Sequence, residues 1–283
     1  MQAAIDCHFH VIGPHAAFPM HEARSYTPAE APLAAWRATL APLGVTRGVL
    51  VQPSIYGTDN SALLAALAEG RGALVGVAAV AADATDARLD ALATAGVRGL
   101  RFAHFEPGDP RGMGGFVPLT ALPALAPRMR ARGLHADLFT DSRLLPAIEG
   151  LLRSAALPVV VDHMGRAPAE LGAAHEGIVA LRRLLEEGWL WVKLSGLANV
   201  SGRAPDYADA RAVHDALLSA NPRRLVWGSD WPHTRPHGEP PQTERVFGLF
   251  AAWTSQASDR ELILRSNPQR LYGFGASSAA APA

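Results

Sequence analysis

His8 and His10, in "DCHFH", are two residues apart. That spacing puts both rings on one side of an extended strand, whereas a helix would splay them by roughly 200°. His163 ends the run "PVVVDHMG", and Asp230 ends "LVWGSDWPH". Three imidazoles and a carboxylate are groups that move protons, polarise a carbonyl or bind a metal ion. Any one of these histidines alone is more simply read as a hydrogen-bonded structural residue. Together, each closing an apolar run, they point to one shared site, because burying such groups without a role costs stability.

The elements that would position them are short β-branched or apolar runs alternating with longer Ala/Leu/Arg segments of helical period. The runs lie at residues 3–10, 47–54, 74–80, 97–105, 134–140, 158–165, 190–196 and 225–233. Helix-like stretches such as "NSALLAALAEG" and "EGIVALRRLLEEG" follow them, several ending at a glycine that serves as a stop signal. Alternation of this kind predicts a parallel α/β sheet, and eight units in 283 residues predict a (β/α)8 TIM barrel. No GxGxxG turn follows the first run, as a dinucleotide-binding fold would require. Residues 1–275 read as one domain and 276–283 as a flexible tail. Catalytic groups of such barrels sit at the C-terminal ends of the strands, where all four residues fall.

Composition narrows the function classes. Hydrophobic residues make up 49% and charged residues 18%, and 26 basic side chains balance 26 acidic ones. A neutral chain gives no electrostatic case for nucleic acid or a membrane surface as partner. No apolar run is long enough to span a bilayer, and the N-terminus has no secretory pattern. The lone Cys7 precludes an internal disulfide, so a cytoplasmic setting is expected. Monomer and small homo-oligomer both remain open. Lys193 is the only lysine. A solitary lysine in an apolar strand could form a Schiff base, as in barrel aldolases, or could pair with a carboxylate.

"DCHFH", "QPSIYGTDN", "DHMG", "KLSG", "GSDWPH" and "NPQRLYGF" resemble the amidohydrolase-related (amidohydrolase 2) branch of the amidohydrolase superfamily over residues 4–275. Within that branch the likeness is to lactonases acting on 2-pyrone-4,6-dicarboxylate and related acidic lactones. The resemblance implies hydrolysis of a small acidic lactone, with Asp230 as the base for water and His8, His10 and His163 polarising the carbonyl. It also implies that no metal is obligatory. Arg101 stands where binuclear relatives carry a bridging lysine or glutamate, and His135 lies at the wrong end of its strand to be a ligand. A single Zn2+ on His8, His10 and Asp230 is the alternative, serving a lactonase of muconolactone or sugar-acid lactones, or a decarboxylase.

For a dicarboxylate, arginines are the expected grips. Arg101 and Arg166 occupy the catalytic face, and Arg111 could supply a further arginine. Ser54, Tyr56, Tyr26 and His233 are further candidate substrate contacts. His233 could orient Asp230 or line the pocket. Asp6 and Asp162 are expected to point to the opposite face from the histidines, packing strand on helix or holding a second hydrogen-bond layer. Asp59 and Asn60 read as a helix N-cap, and "NPQRLYGF" as an anchor for the last helix.

Overall fold

The eight predicted runs form eight strands in a computed structural model that describes residues 3–109, 114–166, 168–234 and 239–274. They are β1 (Ala4–Phe9), β2 (Val45–Val51), β3 (Leu74–Ala78), β4 (Val97–His104), β5 (His135–Thr140), β6 (Val159–Val161), β7 (Leu190–Leu194) and β8 (Leu225–Trp227). All pair in parallel, in the order β1 to β8. The ends of that sheet meet where Phe9 bridges Trp231, His10 N donates to Trp231 O at 2.8 Å, and Asp230 N donates to His8 O at 2.8 Å. The sheet is therefore a (β/α)8 barrel, and its closing seam runs through three of the candidate site residues, His8, His10 and Asp230.

Helices return the chain from one strand to the next. They include α1 (Leu33–Leu40), α2 (Ser61–Gly70), α3 (Asp86–Thr94), α4 (Leu122–Arg130), α5 (Leu145–Ala155) and α6 (Glu176–Glu186). After β7 come the single turn α7 (Leu197–Val200) and α8 (Ala210–Ala220). After β8 come α9 (Thr243–Trp253), α10 (Ala257–Glu261) and α11 (Asn267–Tyr272). Among the described residues none is long and apolar enough to cross a membrane. The predicted glycine stop holds for α6, where Gly188 takes φ +77° just past the end. In α2 it does not: Gly70 is helical, and Arg71 takes the left-handed position at φ +45°. The tail at 276–283 and Arg111 lie outside the described residues.

Strand residues alternate between two apolar layers, as a period of two requires. Ile5, Cys7, Val49, Val51, Val75, Val77, Val160, Trp191 and Val226 fill the barrel interior. The "NPQRLYGF" segment closes that interior from below with Tyr272 and Phe274, while Asn267 fastens it to Pro222 O and Leu225 O. Leu50, Leu100, Leu138, Val161 and Trp227 face outward to the helices. Asp59 Oδ1 accepts from Ser61 N at 2.9 Å, as a helix start requires. Asn60 makes no capping bond and instead braces Ala79 from both its amide atoms, tying the end of β3 to α2.

Candidate active site

Strict alternation along β1 breaks between Asp6 and Phe9, where the pairing with β2 shifts register. The shift turns Asp6 outward to accept from Trp36 Nε1 and Ser229, while His8 and His10 both face the interior. Phe9 stacks on Trp36 of α1, with ring centroids 4.3 Å apart. An irregularity of this kind re-aims side chains beside an active site.

β6 and β8 are only three residues long because the chain leaves extended geometry just beyond them. Val160 and Asp162 share the inward parity, and His163 would point outward. A φ of +51° at His163 turns its ring back in, and Met164, Gly165 and Arg166 continue left-handed at +52°, +76° and +53°. Asp230 also sits at φ +62°. Left-handed non-glycine residues are uncommon and strained, and they cluster at functional sites. Two glycines give the imidazoles room. A β-carbon at Gly196 would lie 2.5 Å from His163 Nδ1, and one at Gly228 would lie 2.6 Å from His8 Cβ.

The result is a convergence on one oxygen. Asp230 Oδ1 lies 3.7 Å from His8 Nε2, 3.8 Å from His10 Nε2 and 3.9 Å from His163 Nε2. Its other oxygen accepts from Asn199 Nδ2 at 2.8 Å, and Asn199 Oδ1 accepts from Arg166 at 2.8 Å. With neutral or distant partners and only 7% exposure, burial pushes the Asp230 carboxyl up to about 7. Burial drives the imidazoles the other way. His10 falls to about 3, helped by the Arg101 charge, and His8 and His163 fall well below their ordinary value. All three rings are neutral at pH 7.

Neutral rings have one N–H each, and their partners decide which nitrogen carries it. His10 Nδ1 lies 2.7 Å from Val51 O. A carbonyl only accepts, so the proton is on Nδ1 and Nε2 carries a lone pair. His8 Nε2, 3.3 Å from that lone pair, can donate to it. His163 Nδ1 is 3.0 Å from the Ser195 hydroxyl, which can donate and leave Nε2–H facing Asp230. Of the three rings expected to polarise the carbonyl, His8 and His163 can present an inward N–H, and His10 presents a lone pair.

Above these groups opens a pocket of about 100 Å³ lined by His10, Tyr26, Ser54, Arg101, Phe116, Phe139, His163, Arg166, Asn199, Asp230 and His233, among others. Arg166 lies over the Phe139 ring at 4.8 Å and Arg101 over it at 5.1 Å. His233 donates to or accepts from Thr243 at 3.1 Å and is held low, at about 4, by burial.

Beneath lies a sealed layer of charge. Lys193 Nζ is 2.5 Å from Asp137 Oδ2, 2.9 Å from Asp162 Oδ1 and 3.1 Å from His8 Nδ1. Arg101 donates to Asp162 Oδ2 at 2.9 Å and to Gln52 O at 3.0 Å. Burial raises Asp162, yet Lys193, His8 and Arg101 outweigh it and hold the carboxyl well below the usual carboxylate range. Burial lowers Lys193, but Asp137 and Asp162 more than offset it and keep the amine protonated.

The amidohydrolase family profile matches residues 5–274. The chain belongs to the amidohydrolase family. It is 35% identical over 280 residues to a 4-sulfomuconolactone hydrolase of Rhizobium radiobacter, covering 96% of this chain and 90% of that one. It is 31% identical over 278 residues to a 2-pyrone-4,6-dicarboxylate hydrolase of Comamonas testosteroni, covering 95% and 90%. A crystal structure from Pseudomonas putida, provisionally assigned as a 2-pyrone-4,6-dicarboxylic acid hydrolase, superposes with a TM-score of 0.84 at 33% identity. That match covers 98% of this chain and 100% of the other.

In this amidohydrolase the structure brings together His8, His10, His163 and Asp230, with Tyr26, Ser54, Arg101, Arg166 and His233 around the same pocket. Tyr56 does not line it: its hydroxyl accepts from Gly13 N at 3.1 Å, bracing the loop after β1. Asp162 points inward rather than to the opposite face, and it forms the second hydrogen-bond layer that was the other half of that expectation. Lys193 is fully buried, lies outside the pocket lining and is protonated, so it has no electron pair to form a Schiff base. Sequence reading missed Asn199, Ser195 and Asp137. Asp137 and Lys193 shared a usable signal, a charged residue at the inward position of an apolar strand. Asn199 sits in the single turn α7 after β7 and carried none.

A divalent metal fits one subset of these residues. His8 Nε2, His10 Nε2 and Asp230 Oδ1 lie within 4.8 Å of one another. The lone pair fixed on His10 Nε2 is the donor a metal needs. Behind that set, Asp162 Oδ1 lies 3.2 Å from His8 Nδ1 as well as 2.9 Å from Lys193 Nζ.

Proposed function

We propose that this protein hydrolyses the ring ester of a small acidic lactone, with Asp230 as the base. The observation that carries the reading is the meeting of three neutral imidazoles on the raised carboxylate of Asp230, under a pocket with two arginines. A base whose pKa lies near the working pH combines a deprotonated form with useful proton affinity. Asp230 takes a proton from water as its oxygen attacks the lactone carbonyl. Negative charge gathers on the carbonyl oxygen, toward which His163 Nε2–H is the available imidazole donor. The ring C–O bond then breaks, and the proton held by Asp230 passes to the leaving oxygen. His8 and His10, joined Nε2 to Nε2, form the wall against which the water is placed.

Arg166 and Arg101 both line the pocket, Arg166 bonded to Asn199 and Arg101 to Asp162 and Gln52, and Arg166 is the candidate for gripping a substrate carboxylate or sulfonate. Relatives that act on 2-pyrone-4,6-dicarboxylate and 4-sulfomuconolactone support an anionic lactone as the substrate class. If a divalent metal is bound, His8, His10 and Asp230 hold it, and it supplies Lewis-acid polarisation of the carbonyl. The test is ring opening followed by ultraviolet absorbance, with both lactones offered to chelator-treated protein and again after zinc is restored. Turnover of either lactone supports the reading. No turnover of either, with or without metal, overturns it.

A further inference from the structure

Lys193 and Asp162 have no part in the chemistry just described, yet both converge on the outer nitrogen of His8. Three acceptors surround the three N–H bonds of the Lys193 ammonium: Asp137 Oδ2, Asp162 Oδ1 and His8 Nδ1, at 2.5, 2.9 and 3.1 Å. When His8 Nδ1 accepts from Lys193, its single proton is on Nε2. It then donates to the lone pair that the Val51 carbonyl fixes on His10 Nε2, and the two facing nitrogens of His8 and His10 are satisfied without an ion. The alternative proton position has its own waiting partner. Asp162 Oδ1, which takes Lys193 at 2.9 Å, has a second lone pair and lies 3.2 Å from the same His8 Nδ1. If the proton sits on Nδ1 and goes to Asp162, His8 and His10 face each other with two lone pairs at 3.3 Å. Two lone pairs at that distance repel unless a cation lies between them and Asp230.

We propose that His8 is a two-state ligand, its tautomer chosen by Lys193 on one side and Asp162 on the other. The Lys193-bonded state closes the site as a metal-free hydrogen-bonded pair. The Asp162-bonded state opens it to one divalent cation on His8, His10 and Asp230. No proton is gained or lost at His8 in the exchange: it leaves Nε2 and appears on Nδ1. Lys193 keeps its protons and its two carboxylates. Lys193 and Asp162 are thus positioning residues, acting through His8. Metal content becomes a property of a hydrogen-bond choice one layer below the site rather than of the ligand set alone. The proposal rests on the site described above but not on the identity of its substrate.

The test is spectroscopic and does not depend on turnover. Full-length protein labelled with ¹⁵N-histidine is stripped by chelator, and two-bond ¹H–¹⁵N spectra are recorded as zinc is added. The His8 signals are assigned by their loss in His8→Asn. The expected result is protonated Nε2 in the stripped protein and protonated Nδ1 at one equivalent of zinc. Asp162→Asn should bind zinc about 10–100-fold more weakly, as losses behind a metal-ligating histidine do, measured by competition with a chromophoric chelator. Protonated Nδ1 in the stripped protein would overturn the proposal. So would Nε2–H persisting at saturating zinc, no zinc binding at all, or wild-type zinc affinity in Asp162→Asn. If that variant does not fold, the wild-type spectra decide alone. Failure to open any lactone would sink the proposed activity and leave these spectra unaffected.

Discussion

Asp162 and Asp230 are both buried in the barrel, and each approaches a different nitrogen of His8. Their fates are opposite. Asp162 lies in the sealed layer with Lys193 and Arg101, and those cations hold it ionised far below its ordinary range. Asp230 lies one layer higher, beside three imidazoles that burial has made neutral, and desolvation lifts it to about 7. Burial alone therefore does not decide what a carboxylate can do. The lower layer uses charge to fix the position of His8, and the upper layer withholds charge so that Asp230 can exchange a proton near neutrality.

The largest expected effect comes from breaking the upper member. Asp230→Asn removes the base with little change in bulk. We expect kcat for lactone opening to fall about 10²–10⁴-fold, the usual worth of a general base, with substrate affinity nearly unchanged by calorimetry. The same variant should also be more resistant to urea than wild type at pH 8, and less so at pH 5. The native carboxyl, raised to about 7, keeps its proton at pH 5 and is a costly buried anion only above that value.

Breaking the lower member should cost stability before activity. Lys193→Met leaves Asp137 and Asp162 buried without their ammonium. Loss of one partner of a buried pair costs about 3–5 kcal/mol, readable as a lower urea midpoint. An unchanged midpoint would mean the layer is not held by charge.

The remaining changes sharpen the contrast. Arg166→Met should raise KM for an anionic lactone about tenfold or more, since a hydrogen bond to a charged group is worth about 1.5–3 kcal/mol, while kcat moves less. Smallest is Asn199→Leu. The Asn199 amide is one of the groups holding Asp230 down, so its loss should move the acid limb of the pH profile to higher pH. A shift to lower pH would contradict the assignment of that limb to Asp230.

The barrel was legible in the sequence because each strand is a short apolar run of period two and each return is a helix of period 3.6. The convergence of His8, His10, His163 and Asp230 was legible because all four close such runs. What alternation could not supply was direction at the strand ends. The register shift after Asp6 and the left-handed turn at His163 each reverse a side chain, and neither is written in residue type. Asp162 was misdirected for that reason: with His163 turned back, two adjacent residues both face inward. Tyr56 had the right place in the chain but spends its hydroxyl on Gly13. Lys193 stood out by its rarity, yet its partner Asp137 was visible only once the inward positions of β5 and β7 were brought side by side.

The most direct test of the account is the pH dependence of kcat/KM for lactone opening by chelator-treated wild-type protein. The account predicts a rate that rises about tenfold per pH unit and levels off near pH 7, as one raised carboxyl loses its proton. A profile already level at pH 5 would contradict it, because the base would then be an ordinary carboxylate and not the buried Asp230 described here.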